Sequence, residues 1–242
     1  MPFTPAHPAV VLPFLRWRYA SATGLIVGSM APDFEYFFKM SVSGVHGHTL
    51  WGILYFDAPV SVFLALVFHN IAKRNLIRNL PAFVQPKLQA LVALDFNAYL
   101  RTHIVIFLIS AMVGSASHIL WDGFTHNDGY FAQRLAIYKE VFVPFGGVRY
   151  PLFHVLQQVS TVVGLSIVSA YVIAKKGEEG AVYTPRLVYW LLVLLLAAAI
   201  VVLRFVLIPD RIMLGNLVVS SMSGLMLAVV LCGFINFKNT TA

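Results

Sequence analysis

The chain has 242 residues, of which 59% are hydrophobic and only 11% carry charge. A water-soluble domain is about a quarter charged and near half apolar, so this composition excludes an ordinary globular protein and calls for lipid as part of the solvent. The formal charge of +7 does not point to nucleic acid, because the Lys and Arg residues fall between apolar runs, where they set topology and meet anionic head groups.

The chain opens on Met1-Pro2-Phe3-Thr4-Pro5, which lacks the basic stretch of a signal peptide, and no cleavable targeting segment is expected. Residues 20–40 are apolar but hold Ser21, Thr23, Gly24, Gly28, Ser29 and the Pro32-Asp33 pair. Proline disfavours helix at the residue before it, so this stretch is expected to be a shorter helical segment that bends near Asp33 and does not fully cross.

Five later runs reach the roughly 20 apolar residues that cross a hydrocarbon core: residues 50–68, 103–121, 152–174, 187–208 and 214–237. The expected fold is therefore all-α, a polytopic integral membrane helical bundle with five clear spans and one shorter N-terminal helical segment. It is read as a single membrane domain over 1–242, with the chemistry in 1–135 and three further spans in 152–237.

Residues 70–102 carry Lys73, Arg74, Arg78, Lys87 and Arg101 against one acid, Asp95, and residues 175–186 carry Lys175, Lys176 and Arg186. Both segments belong on the cytoplasmic side by the positive-inside rule. Residues 39–49, 122–151 and the turn 209–213 then face outward. Trp17, Trp51, Trp121, Tyr150 and Trp190 sit near span ends, as an interfacial aromatic belt does. Asp57 within the first span is expected to be buried, paired or protonated, serving either a structural hydrogen bond to a neighbouring helix or a proton or substrate role; Arg204 is expected to snorkel to the interface, and His69 and His103 to be interfacial. The single cysteine, Cys232, can form no intrachain disulfide and reads as a small packing residue.

The His and Asp residues carry the chemical information. His118, Asp122 and His126 follow at i, i+4 steps. On a helix each such step turns the side chain by only about 40°, so the three face one way, although Gly123 and the Asn127-Asp128-Gly129 run put the helix end nearby. An imidazole and a carboxylate on one helical face can ligate one cation; the plainer alternative is a helix-to-helix hydrogen bond at His118 and a solvated Asp122. His46 and His48 precede the first clear span. Asp33 follows a proline, either as a turn former or as a carboxylate ligand that could bridge two ions, and Glu35 is a candidate base.

Four ordered motifs carry a family resemblance: Met1-Pro2-Phe3-Thr4 with His7; Gly28-Ser29-Met30-Ala31-Pro32-Asp33-Phe34-Glu35-Tyr36; His48-Thr49 before a span; and Ser117-His118 followed by Trp121-Asp122, Phe124, Thr125 and His126. Together they resemble domain-of-unknown-function family 4184, which is similar to bacterial inner-membrane metal-dependent hydrolases with a His/Asp pattern like that of zinc phospholipase C. The resemblance implies His7, Asp33, His48, His118, Asp122 and His126 as metal ligands. It leaves out His46, because the related hydrolases space their two histidines more widely. The activity it implies is hydrolysis of an ester or phosphodiester of a lipid or lipid-linked substrate, using Zn²⁺ or a similar divalent ion, with Asp33 or Glu35 accepting the proton. The implied setting is the bacterial cytoplasmic (inner) membrane, with membrane lipids and other membrane proteins as partners. The rival expectation is a non-enzymatic subunit or scaffold whose His/Asp cluster ties helices together.

Overall fold

The computed structural model describes residues 3–208, 213–238 and 240–241. Met1 and Pro2 of the N-terminal motif, and most of the turn expected at 209–213, lie outside the described residues. Among the described residues the regular structure is helical apart from one short hairpin and an isolated Tyr183–Thr241 bridge. Among the described residues, five stretches are long and apolar enough to cross a membrane: Ile53–Arg78, Phe96–Arg134, Leu152–Ala174, Leu187–Leu207 and Leu214–Gly233. This is the polytopic helical architecture expected from hydropathy, and residues 20–40 are not among the five.

The chain forms two compact units. The first gathers Met1–Asp33, His46–Ser61 and Val105–Tyr171; the second gathers Phe34–Val45, Val62–Ile104 and Val172–Ala242.

In the first unit the N-terminal residues make short helical pieces, Thr4–Ala6, Pro8–Val11 and Leu12–Phe14, each with a proline in its first turn, where a missing N–H costs nothing. Ser21 caps the Ala22–Gly28 helix, its side chain accepting from Gly24 N–H, as small hydroxyl residues do at helix starts. That helix lies so close to the Phe96–Thr125 helix that a Cβ on Gly28 would run into the backbone of Ala111. Pro32 then opens the one-turn Ala31–Asp33 3-10 segment. Gly47 rests against the carbonyl of Pro32, which brings the His48 segment onto the same turn. Asp57, buried within a span, accepts from the hydroxyl of Ser115, the pairing expected of an acid in an apolar layer.

Residues 122–151 were expected only as an outward loop, yet they hold an antiparallel hairpin. Phe142–Phe145 pairs with Val148–Pro151 across Gly146 and Gly147, whose φ values are +57 and +79. A two-residue turn with positive φ at both positions is the favoured type I′ hairpin connection, and glycine supplies it without steric cost.

In the second unit, Leu187–Leu207 and Leu214–Gly233 pack around Tyr189, Val193, Ala228 and Cys232. Arg204 does not snorkel as expected. It is buried, and its guanidinium donates to the carbonyls of Met40 at 3.1 Å and Ile208 at 3.4 Å. Met40 has a φ of +49, and its carbonyl also accepts from Ser220 Oγ, so the Arg204 charge is spent on turn carbonyls rather than on water. His69 is buried within the protein, stacked on Phe96 with ring centroids 4.1 Å apart. The basic segment after the first span is more ordered than a loop. Its first part, Lys73–Arg78, continues the first span as helix, Gln89–Ala93 is a further short helix, and Asp95 Oδ1 accepts from Ala98 N–H to cap the Phe96–Thr125 helix.

The contact of Gly28 with Ala111 yields a first prediction. A methyl group there has only backbone to displace, and overpacking of this kind costs about 1–3 kcal/mol. Gly28→Ala is expected to lower the unfolding temperature of the detergent-solubilised protein by several degrees, read by a thermal shift assay, whereas Gly146→Ala, with nothing within 4 Å, strains only an isolated turn and is expected to shift it less.

Candidate metal centre

Three remote segments of the first unit deliver four donor residues to one point. Asp33 comes from the Pro32 turn, His48 from the Gly47 crossing, and His118 and Asp122 from successive turns of the Phe96–Thr125 helix. One donor atom from each of these four residues lies within 4.8 Å of every other. The donors alternate between imidazole and carboxylate: His48 Nε2 is 3.4 Å from Asp33 Oδ1 and 3.4 Å from Asp122 Oδ2, and His118 Nε2 is 3.6 Å and 3.2 Å from the same two oxygens. Ligands about 2.1 Å from a tetrahedral ion lie about 3.4 Å from one another, so the spacing suits a single divalent cation.

The hydrogen bonding of the ring points the same way. His118 Nδ1 donates to the carbonyl of Ser29 at 2.8 Å. That bond fixes the ring orientation and leaves Nε2 facing the carboxylates, the arrangement by which a neighbouring carbonyl orients a metal-ligating imidazole. Asp33 Oδ2 accepts from Thr4 Oγ1 at 2.5 Å, which leaves Oδ1 as its free donor. Asp33 Oδ1, His118 Nε2 and both Asp122 oxygens are buried without a hydrogen-bond partner. Buried carboxylate oxygens in that condition are costly unless a cation meets them. The donor set therefore fits a divalent ion on its own chemistry.

The two further histidines of the expected ligand set flank Asp122 on its other oxygen. His7 Nε2 is 3.7 Å and His126 Nδ1 3.5 Å from Asp122 Oδ1. His7 is 3% exposed and stacks on His118 with centroids 3.6 Å apart and planes 13° from parallel. His126 begins the turn after the helix, its N–H still bonded to the Asp122 carbonyl at 3.1 Å. His46, set aside on spacing, turns to Tyr55 Oη at 2.9 Å. Glu35, the candidate base, belongs to the second unit. Its carboxylate accepts from Lys39 Nζ at 2.6 Å and from Val45 N–H at 2.8 Å, so it is committed to holding its own loop. Thr4 and the Ser29 carbonyl were not foreseen. Thr4 stands three residues before His7, a spacing that gives a weak signal, and a backbone carbonyl gives none.

Charge is shared unevenly. Burial works hardest against ionisation at Asp33, yet His118 and His48 outweigh it and hold the carboxyl below the usual carboxylate range. Burial likewise opposes charge on His48, but the carboxylates of Asp122 and Asp33 overcome it and raise its pKa to about 9. His7 is the opposite case: burial, with His118 close by, lowers it to about 3, so it is a neutral imidazole at physiological pH.

The fold and this cluster together define a multi-pass membrane protein with a His/Asp site suited to a metal ion. The chain belongs to the family described as Domain of unknown function (DUF4184), whose model matches residues 1–234. No curated protein and no solved structure matches it.

Two predictions follow from the electrostatics. A metal ligand must be a neutral imidazole, and without metal His48 keeps its proton up to about pH 9. Binding must displace that proton, so affinity is expected to rise about tenfold per proton displaced for each pH unit between 7 and 9. Titration calorimetry in buffers of different ionisation enthalpy reads the released proton directly. Glu35→Gln, by contrast, is expected to leave metal content unchanged, measured by elemental analysis, because that carboxylate serves Lys39 and Val45.

Proposed function

We propose that this protein is a metal-dependent hydrolase of the bacterial cytoplasmic membrane, acting on an ester or phosphodiester of a lipid or lipid-linked substrate. The observation that carries this reading is the ring of Asp33, His48, His118 and Asp122 donors, two of which sit on a helix that is itself part of an apolar span. A divalent ion, Zn²⁺ or a similar cation, held at this His/Asp centre with a coordination position left to water would supply Lewis acidity and bring the pKa of that water towards about 7.

The chain's own residues supply the rest. Ser29 and Thr4 hold one imidazole and one carboxylate in ligand orientation. The His48 side chain is 25% exposed while the other ring members are nearly closed off, so a reacting group reaches the centre past His48. The helix that carries His118 and Asp122 turns Leu120, Trp121 and Phe124 towards an apolar groove of about 500 Å³, shared with Val10, Leu156 and Val163. That juxtaposition of a polar centre and an apolar groove favours a substrate with an acyl or polyprenyl chain over a water-soluble ester. The charge bias of the connecting segments puts the His126 end of this helix on the outer face, where lipid head groups are within reach.

The test uses full-length protein in detergent. Stoichiometric divalent metal and hydrolysis of at least one lipid ester or phosphodiester in a head-group panel are expected for the natural sequence. His118→Ala and Asp122→Ala are expected to lose metal and to reduce turnover by about a hundredfold or more while keeping their helical circular dichroism. Full metal content with no turnover on any member of the panel would instead mark the centre as a structural staple.

A further inference from the structure

The two oxygens of Asp122 face different pairs of imidazoles. Oδ2 lies 3.4 Å from His48 Nε2 and 3.2 Å from His118 Nε2, whereas Oδ1 lies 3.7 Å from His7 Nε2 and 3.5 Å from His126 Nδ1. We propose that Asp122 is a bridging carboxylate between two divalent cations, the second held by Asp122 Oδ1, His7 and His126 and keeping an open coordination position. This deepens the metal-hydrolase reading and rests on it.

Three observations carry the assignment. The first concerns which carboxylate can bridge. Asp33 offers only one oxygen to the centre, because its Oδ2 accepts from Thr4 Oγ1. Both Asp122 oxygens are buried without a hydrogen-bond partner. The bridging role that the sequence suggested for Asp33 therefore passes to Asp122.

The second concerns His7. Both of its ring nitrogens are buried and lack a hydrogen-bond partner, although a neutral imidazole carries one N–H donor and one acceptor. A stack on His118 satisfies neither, whereas a cation between His7 Nε2 and Asp122 Oδ1 occupies a lone pair on each. His126 is only loosely held. Its Nδ1 lies 3.3 Å from the Asp122 carbonyl and 3.4 Å from Thr125 Oγ1, both longer than the usual 2.7–3.2 Å of an N–H···O bond.

The third is the count of donors. The ring of Asp33, His48, His118 and Asp122 provides four protein ligands, which close a tetrahedral ion as structural sites do. The second position has three, the number that leaves room for water or substrate in catalytic sites. A shared carboxylate is a natural bridge for paired ions held about 3.5–4 Å apart. On this arrangement the first ion organises the centre and the second is the one open to a substrate oxygen.

The experiment is metal stoichiometry of the full-length, detergent-solubilised chain, stripped with chelator and titrated with Mn²⁺, with low-temperature electron paramagnetic resonance on the loaded protein. Two equivalents and an exchange-coupled pair signal are expected. His126→Ala and His7→Ala are each expected to take up one equivalent and to show the signal of isolated Mn²⁺. Should His7→Ala fail to fold because the residue is buried, His126→Ala, at a partly exposed helix end, decides alone. A single equivalent in the natural sequence overturns the bridge but leaves the four-donor ring standing. No bound metal overturns the ring as well. Two equivalents retained in His126→Ala overturn the ligand assignment.

Discussion

Two carboxylates, Asp33 and Asp122, are buried side by side at the end of an apolar helix, and the first unit is arranged around neutralising them. An ionised carboxylate taken out of water costs several kcal/mol even after the protein relaxes, and only close opposite charge with well-aligned hydrogen bonds offsets that cost. Here four imidazoles crowd within 3.2–3.7 Å of one or both acids. Imidazoles make poor permanent counter-ions, since burial drives them towards neutrality: His7 yields to it, while His48 keeps its proton only because two carboxylates face it. A divalent cation resolves the conflict in a way that protons do not, because it leaves every imidazole neutral and every carboxylate charged.

The packing around the centre follows from this demand. The Gly28 contact lets the Ala22–Gly28 helix lie directly on Ala111, and its C-terminal Ser29 carbonyl thereby reaches His118 Nδ1. Gly47 does the same for the loop that carries His48, which crosses against the Pro32 carbonyl. Each glycine permits a backbone approach that a side chain would prevent, and each approach delivers one partner to the ring. Backbone geometry and site chemistry are thus coupled through two positions that have no functional group of their own.

Much of this was legible in the sequence, and the reasons differ by level. The spans follow from apolar length alone, because lipid imposes a minimum run that few soluble segments reach. The His118, Asp122 and His126 face follows from the helical period. The convergence of Asp33 and His48 on that face does not follow from any local rule; only the resemblance of ordered motifs suggested it. The 142–151 hairpin carried its own signal in Gly146-Gly147 between β-forming residues, but it was masked by the reading of that stretch as a plain connection. Arg204 misled for a physical reason. A long cationic side chain near a span end has two outlets, water or unsatisfied carbonyls, and the positive-φ turn at Met40, which supplies the second, is invisible from the helix sequence.

The N-terminal segment shows why a polar centre of this kind also serves the fold. Residues 3–14 form only short, proline-interrupted turns, which have little intrinsic helical stability. What ties them down is a small set of contacts: Phe3 N–H to Thr161 Oγ1 at 3.0 Å, Ala6 against Gly164, Thr4 Oγ1 to Asp33, and His7 stacked on His118. Two of these four reach the centre itself. A cation that drew His7 and Asp122 together would therefore gain the ordering of the whole segment as part of its binding. Metal occupancy and N-terminal docking would then be one equilibrium. A chain of marginal helical turns is held in register here because its polar contacts with the centre supply the anchorage that its sequence lacks.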